Sequence, residues 1–345
     1  MMGKVKNWIM TCGLMASMCA AGMAQSNGKL RVYFIDVEGG QSTLFVTPAG
    51  ESLLIDTGWP DNNGRDADRI VAAAKKAGIS KIDYVLFTHF HTDHVGGAPQ
   101  LAARIPIGTF IDHGPNSELN DKPTVDGFEA YQKLLATGKY KHLTPAVDDI
   151  LPIKGMKVQV VSSDGNLLNH NLPGGGEQNQ YCKVSEVRKA DQTENSHSLG
   201  VLITFGKLRI LDLGDLTWDK EMQMMCPINH LGHVNILVVS HHGWYQSSSP
   251  ALIDAIHPQV AIMGNSETKG GSKPTLVNLK NDPGLETSWQ LHYSAEGSTD
   301  NTAEQYIANL KGADTGHDIE LTASPDGQFS VLNTRNGQTK TYRAH

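Results

Sequence analysis

Residues 82–94 read Ile82-Asp83-Tyr84-Val85-Leu86-Phe87-Thr88-His89-Phe90-His91-Thr92-Asp93-His94, a short apolar run that passes straight into three histidines and an aspartate. Ile82 to Phe87 has the length and the aliphatic and aromatic content of a buried strand, and Gly96-Gly97 beyond the cluster reads as a turn into a helix. Core packing rarely needs imidazoles and a carboxylate side by side, so a strand that ends in such a group presents a metal site. Alternate residues of an extended chain share a side. His89 and His91 therefore point together as ligands of one metal, and Asp93 and His94, on the following turn, can face a second.

A two-metal site needs further ligands, and three later strand ends offer them. His197 lies in Glu194-Asn195-Ser196-His197-Ser198, before the apolar run Leu199 to Phe205. Asp215 follows Leu208 to Leu213 through Gly214, and His241 follows Val234 to Val239 in Ser240-His241-His242-Gly243. The plainer readings are a turn residue for Asp215 and a cap or surface histidine for His197. Adjacent histidines at a strand mouth make poor core residues, so one of His241 and His242 is expected to bind metal. His242 is then a candidate to hold a ligand or touch a substrate oxygen. His113, after Ile111-Asp112, is a candidate for lining the site, with a surface histidine as the plainer alternative.

The chain has 345 residues, ample for a buried core. Lys4 and Lys6 precede an apolar stretch from Trp8 to Ala21, and Gly22-Met23-Ala24 supplies small residues for cleavage. Residues 1–24 therefore read as a secretory signal peptide, which makes the protein periplasmic or secreted, with 25–345 as a single domain. No later segment is apolar enough to span a membrane, so no span is expected after cleavage. Net charge is −7, and loss of Lys4 and Lys6 makes the remainder more acidic. An acidic chain does not attract polyanions at long range, so no stable nucleic-acid complex is expected. Cys182 and Cys226 remain, either as one disulfide or as two free thiols.

Strand-like runs fall at 30–37, 42–47, 52–56, 81–87, 158–162, 199–205, 208–213, 234–240 and 259–263, and helical spacing at 66–76, 97–103, 126–136 and 301–310. Segments 319–322 and 328–333, around Pro325-Asp326-Gly327, read as a closing hairpin. Helices between strands from start to end favour helices laid outside sheets. Two stretches, 114–124 and 165–195, are rich in Gly, Asn, Gln and Pro. The second reads as a long loop insertion, either a lid or a plain surface excursion.

Thr88 to His94 resembles the HxHxDH signature of the metallo-β-lactamase superfamily, and the later Gly-Asp and His segments follow in that family's order. Phe34 to Ser42, Leu54-Ile55-Asp56-Thr57-Gly58 and Ser240 to Gly243 resemble more narrowly the hydrolase domain of the ComEC competence proteins. The likeness spans about Lys29 to Met263. It implies an α/β fold, the αββα four-layer sandwich, with two mixed sheets and helices outside. It further implies two zinc ions, with manganese or iron as alternatives. His89, His91 and His197 would hold one ion, Asp93, His94 and His241 the other, and Asp215 would bridge them. The activity implied is hydrolysis by a metal-held hydroxide, with Asp93 orienting the nucleophile. The substrate would be a phosphodiester or a small molecule; lactone, thioester or β-lactam hydrolysis and a non-catalytic metal-binding scaffold are the alternatives. ComEC-type domains often carry a polar residue where His197 would serve, and they tend to place Gly-His-Pro where this chain has Ser272-Lys273-Pro274.

Overall fold

The computed structural model describes residues 28–60, 62–312 and 314–344; the expected signal peptide lies outside them. Two sheets face one another. The first has nine strands, in spatial order Thr339–Arg343, Gln328–Asn333, Ile319–Ala323, Leu30–Phe34, Thr43–Val46, Ser52–Ile55, Ile82–Leu86, Ile107–Ile111 and Lys141–Leu143. The second has eight, in order Ile307–Asn309, Thr287–His292, Val260–Met263, Ile236–Val238, Leu208–Asp212, Gly200–Phe205, Lys157–Ser163 and Asn166–Leu167. Each sheet is antiparallel over one stretch and parallel over the other. The parallel stretches include the strands Ser52–Ile55, Ile82–Leu86 and Ile107–Ile111 of the first sheet and Leu208–Asp212, Ile236–Val238, Val260–Met263 and Thr287–His292 of the second.

The continuous apolar character of these strands follows from burial of both faces. In the first strand, Leu30, Val32 and Phe34 enter the core between the sheets, while Tyr33 packs on the opposite face toward the helices. Phe45 and Leu44 divide in the same way, as do Leu86 and Val85. Helices Arg65–Lys76, Ala98–Ala102 and Lys122–Leu135 cover the first sheet, and Trp218–Met225, Pro250–Ile256 and Lys273–Asn281 cover the second. The result is the four-layer αββα sandwich. Among the described residues no helix is long and apolar enough to cross a membrane.

Most expected elements fall in place, with two differences. The helix expected from Asp126 begins at Lys122, because Asp121 caps it through the Thr124 backbone N–H at 3.0 Å and Pro123 fits its first turn. The segment expected as a helix from Asn301 to Leu310 is instead one 3-10 turn, Glu304–Tyr306, followed by the strand Ile307–Asn309. Pairing beside Thr287–His292 buries Ile307 and Ala308 and lets the Asn309 amide reach the Leu291 carbonyl at 2.9 Å, which a surface helix would not provide.

The long insertion is fastened rather than loose. Glu177–Gln178 pairs with Ile228–Asn229, the Asn179 amide donates to the carbonyls of Met225 and Ala251, and Cys182 is disulfide-bonded to Cys226. Nearby, Glu221 is buried and accepts the backbone N–H groups of Ser248 and Ser249. Burial pushes its carboxyl up to about 7 against the pull of those donors. A carboxyl raised in the fold keeps its proton after the unfolded chain has lost it, from about pH 4.3. Its contribution to stability is therefore full below that pH and declines as pH rises towards 7. Urea unfolding of wild type and Glu221→Gln at pH 5 and pH 7.5 should show a shallower decline in the variant; parallel declines would sink this assignment.

Candidate metal centre

The chemistry-bearing residues gather where parallel strands of both sheets end. From the first sheet, Ile82–Leu86 runs on into Thr88-His89 and the turn Thr92–Val95, and Ser52–Ile55 ends at Asp56. From the second, Leu208–Asp212 ends at Gly214-Asp215, Ile236–Val238 at Ser240 to Gly243, and Val260–Met263 at the loop that carries Lys269. Open sheets place ligand sites outside such strand ends. The two edges touch closely: Gly214 has φ +55°, and a Cβ there would stand 2.5 Å from Cβ of Thr88. Only glycine lets Asp215 approach the histidine cluster this closely.

His241 and His242 both take left-handed backbone, with φ of 54° and 53°, as does Asp56 at 61°. Such conformations cost about 1–3 kcal/mol each in non-glycine residues and persist where the surroundings hold them. Here the His241 N–H donates to the Gly214 carbonyl at 3.1 Å, and the His242 carbonyl accepts from Gly271 at 2.9 Å. The bend turns both rings toward Asp215.

Asp215 Oδ2 lies 3.3 Å from Nε2 of His94, 3.5 Å from that of His242, 3.6 Å from that of His241 and 3.9 Å from that of His89. Asp93 Oδ2 lies 3.0 Å from His242 Nε2 and 3.3 Å from His94 Nε2. The other nitrogen of each ring is engaged elsewhere. His94 Nδ1 meets Asp56 Oδ2 at 2.7 Å, His89 Nδ1 meets Thr88 Oγ1 at 3.0 Å, and His242 Nδ1 donates to the Gly264 carbonyl at 3.1 Å. His91 is reversed: its Nε2 meets Glu118 Oε2 at 3.0 Å, which leaves Nδ1 free. A carboxylate or carbonyl behind His91, His94 and His242, and the Thr88 hydroxyl behind His89, fix the tautomer and aim the remaining lone pair, as supports of metal-binding histidines do.

Charge in the pocket agrees with this. Burial would raise Asp93 and Asp215, but Lys269 and His94 at the first, and His94, His242 and His241 at the second, hold both well below the usual carboxylate range. Burial would lower His94, yet Asp215, Asp93 and Asp56 keep its proton well above the ordinary histidine value. Burial pushes His89 far down and His241 to about 4, so both are neutral near pH 7 and offer lone pairs. Two buried atoms near the cluster, His89 Nε2 and Asn195 Oδ1, have no hydrogen-bond partner. Lone pairs left bare in a carboxylate-rich pocket fit a divalent cation. His89, His94 and Asp215 form one group of mutually close ligand atoms, and Asp93, His94 and His242 a second.

The structure thus brings together His89, His94, Asp93, Asp215, His241 and His242, with the His91 ring 4.7 Å from that of His89. The arrangement differs from the expected roles at four residues. His242, expected to touch substrate, stands in the place given to His241 beside Asp93 and His94. His241 instead turns Nε2 toward Asp215 and the Asn195 amide, which is 3.4 Å away. His197 does not join: its Nδ1 meets Asp164 Oδ1 at 2.9 Å and its side chain is 28% exposed. His113, expected as a substrate contact, is buried with Nε2 3.0 Å from Glu194 Oε2.

Four supporting residues escaped the sequence reading. Asp56 carries a detectable signal, a carboxylate at the end of an apolar strand. Glu118 sits in the glycine-containing stretch 114–124, and Asn195 is two positions from the histidine that drew attention. Glu194 accepts from the backbone of Phe90 and Ser117 and from His113, which ties the histidine motif to that stretch. Burial alone would raise Glu194, but hydrogen bonds from His113 and Ser117 hold it at about 2.

Residues 36–176 match the family model of the metallo-beta-lactamase superfamily. Recombination protein 2 of Haemophilus influenzae is 28% identical over 232 residues, covering 67% of this chain and 24% of that protein. Competence protein ComA of Neisseria gonorrhoeae is 22% identical over 233 residues, covering 68% of this chain and 27% of that protein. The chain therefore matches only about a quarter of the length of each of these relatives. The metallo-beta-lactamase fold protein YhfI from Bacillus subtilis superposes over 85% of this chain and 99% of its own, at 13% identity and a TM-score of 0.45. With the histidine and aspartate cluster at the meeting edge of its two sheets, this chain is similar to the metallo-beta-lactamase superfamily over residues 36–176.

Proposed function

We propose that the chain is an exported, dinuclear metal-dependent hydrolase of phosphodiesters. The observation that carries the reading is the position of Asp215 Oδ2, 3.3–3.9 Å from Nε2 of four different histidines. One carboxylate oxygen faced by four imidazoles suits a bridge between two cations. His89, His91 and Asn195 with His241 would hold one cation, and Asp93, His94 and His242 the other, with zinc as the metal and manganese or iron as alternatives.

When bound, two such cations supply a water of lowered pKa and polarise the oxygen of the group being cleaved. The protein's own part is positioning. Asp93, whose Oδ2 lies among Lys269, His242 and His94, would orient the attacking water. Asp56, Glu118 and the Gly264 carbonyl keep the rings fixed while charge changes in front of them. The names of the two relatives, a recombination protein and a competence protein, turn the substrate reading toward DNA phosphodiesters. The Cys182–Cys226 disulfide supports an oxidising compartment, periplasmic or extracellular.

The test is hydrolysis by the purified protein, loaded with zinc or manganese, of bis-p-nitrophenyl phosphate, single-stranded DNA, a lactone and nitrocefin. Cleavage of the two phosphodiesters, abolished by chelation and restored by metal, is expected. Cleavage of the lactone or nitrocefin alone would replace the phosphodiester reading, and cleavage of none with two metals bound would make the chain a binding scaffold.

A further inference from the structure

Lys269 stands beside the metal cluster, paired with Asp93, in a setting that this pairing alone does not account for. Its ammonium lies 5.1 Å from the ring centre of Trp59 and 5.6 Å from that of Trp244. It donates to the Gly39 carbonyl at 2.7 Å and pairs with Asp93, and its side chain remains 20% exposed. An ammonium has three N–H donors, so one is left for an incoming acceptor.

Three loops build this spot. Trp59 follows the strand Ser52–Ile55, and its backbone N–H donates to Asp66 Oδ2 at 2.8 Å. Trp244 follows the histidine pair, its ring 5.2 Å from that of His241. Lys269 sits in the loop whose Gly271 and Ser272 N–H groups bind the carbonyls of His242 and Gly243. Three residues before Gly39, Asp36 is buried, with Oδ1 2.7 Å from His292 Nε2 and Oδ2 accepting from Arg69 at 3.0 Å. Trp289, by contrast, is fully buried with its N–H on the Tyr342 hydroxyl, as a core tryptophan should be. Trp59 and Trp244 are only partly buried, beside a cation and next to the reactive centre.

We propose that Lys269, Trp59 and Trp244 form a substrate subsite that receives one phosphate and the unstacked base next to it, so that the polymer processed is single-stranded nucleic acid. This rests on the phosphodiester reading above. The ammonium, already paired with Asp93 and bonded to the Gly39 carbonyl, gives its remaining N–H to a non-bridging phosphate oxygen while the indole faces flank it. An indole stacks any base that is free to turn outward, whereas a base inside a duplex is already stacked and out of reach. The subsite also reconciles a phosphodiester substrate with a net charge of −7, because recognition comes from one local cation and two rings rather than from a long-range field. Binding should therefore depend only weakly on salt, with a log–log slope of roughly −0.7 for one neutralised phosphate on a single strand.

The test is titration of intrinsic tryptophan fluorescence with a thymidine octamer, an abasic octamer of the same length and a duplex, on EDTA-treated and metal-loaded protein, so that binding is read apart from turnover. The thymidine octamer should quench and bind roughly 10-fold tighter than the abasic one, and the duplex should bind no better than the abasic strand. Trp59→Leu and Trp244→Leu should each weaken the thymidine octamer by roughly 10-fold and leave the abasic octamer unchanged. Lys269→Met should weaken both and bring the salt slope near zero, and Lys269→Arg should restore it. If the leucine variants fail to fold by circular dichroism, Trp59→Phe and Trp244→Phe must keep the preference for bases. Equal binding of thymidine and abasic octamers, or an unchanged slope in Lys269→Met, overturns the proposal. Base-selective binding without hydrolysis of bis-p-nitrophenyl phosphate counts against the hydrolase reading alone. Hydrolysis without base selectivity counts against the subsite alone.

Discussion

Asp215→Ala is expected to strip the purified protein of bound metal and to lower phosphodiester hydrolysis by more than about 100-fold, since even the groups behind metal ligands are worth 10–100-fold. The side chain removed is the one faced by Nε2 of His89, His94, His241 and His242, so no neighbour can take its place. Metal per chain, measured by plasma emission spectroscopy after dialysis, should fall from about two to below one, as expected when a shared ligand is lost. The same measurement separates two nearby residues. Asn195→Ala removes the bare Oδ1 next to His241 and should loosen one metal, whereas His197→Ala removes a ring bound to Asp164 and should leave the metal content unchanged. Full metal content in Asp215→Ala would dismantle the assignment, and metal loss in His197→Ala would return that histidine to the site.

Cys182→Ser with Cys226→Ser is expected to lower stability by about 2–4 kcal/mol, the range for a crosslink closing a loop of this size. The bond joins residues 44 apart, and the loop it closes includes the end of the insertion, the Asn195 turn and the strands up to Asp212. Urea unfolding of the double variant should match that of wild type in reductant. Equal stability of oxidised wild type and variant would overturn this expectation, because contacts made only in the folded state cannot confine the unfolded chain. The segment leads directly to Glu194 and Asn195, so the variant should also bind metal more weakly than wild type.

The parts of the site that lie on one continuous stretch were legible in the sequence. His89 to His94 needs only a strand end to be recognised, and Gly214-Asp215 needs only a turn that brings a carboxylate beside it. What escaped depended on backbone bends that side-chain types do not announce. Adjacent His241 and His242 exchange expected positions because both take left-handed φ, which turns the second ring inward as well. Asn195 and His197 would share a side of an extended chain, but they lie on the 3-10 turn Glu194–His197, where two residues differ by about 240°. The turn aims the asparagine at the pocket and the histidine at Asp164. Lys269, Trp59 and Trp244 come from three loops with no shared spacing, so only the fold brings them together. At the level of layers, two-sided apolar strands were readable, and the 301–310 misreading arose because a short edge strand and a helix draw on the same residues.

The contact between Gly214 and Thr88 has a consequence for how the molecule holds together. His89 to His94 belong to one sheet, and Asp215, His241 and His242 to the other, so neither sheet owns a ligand set. Seating the second sheet on the first and creating the binding pocket are one event. A cation that grips both edges would act as a rivet across this joint, adding stability in proportion to the logarithm of its concentration over its dissociation constant. Metal supply would then set the lifetime of the folded protein as well as its activity.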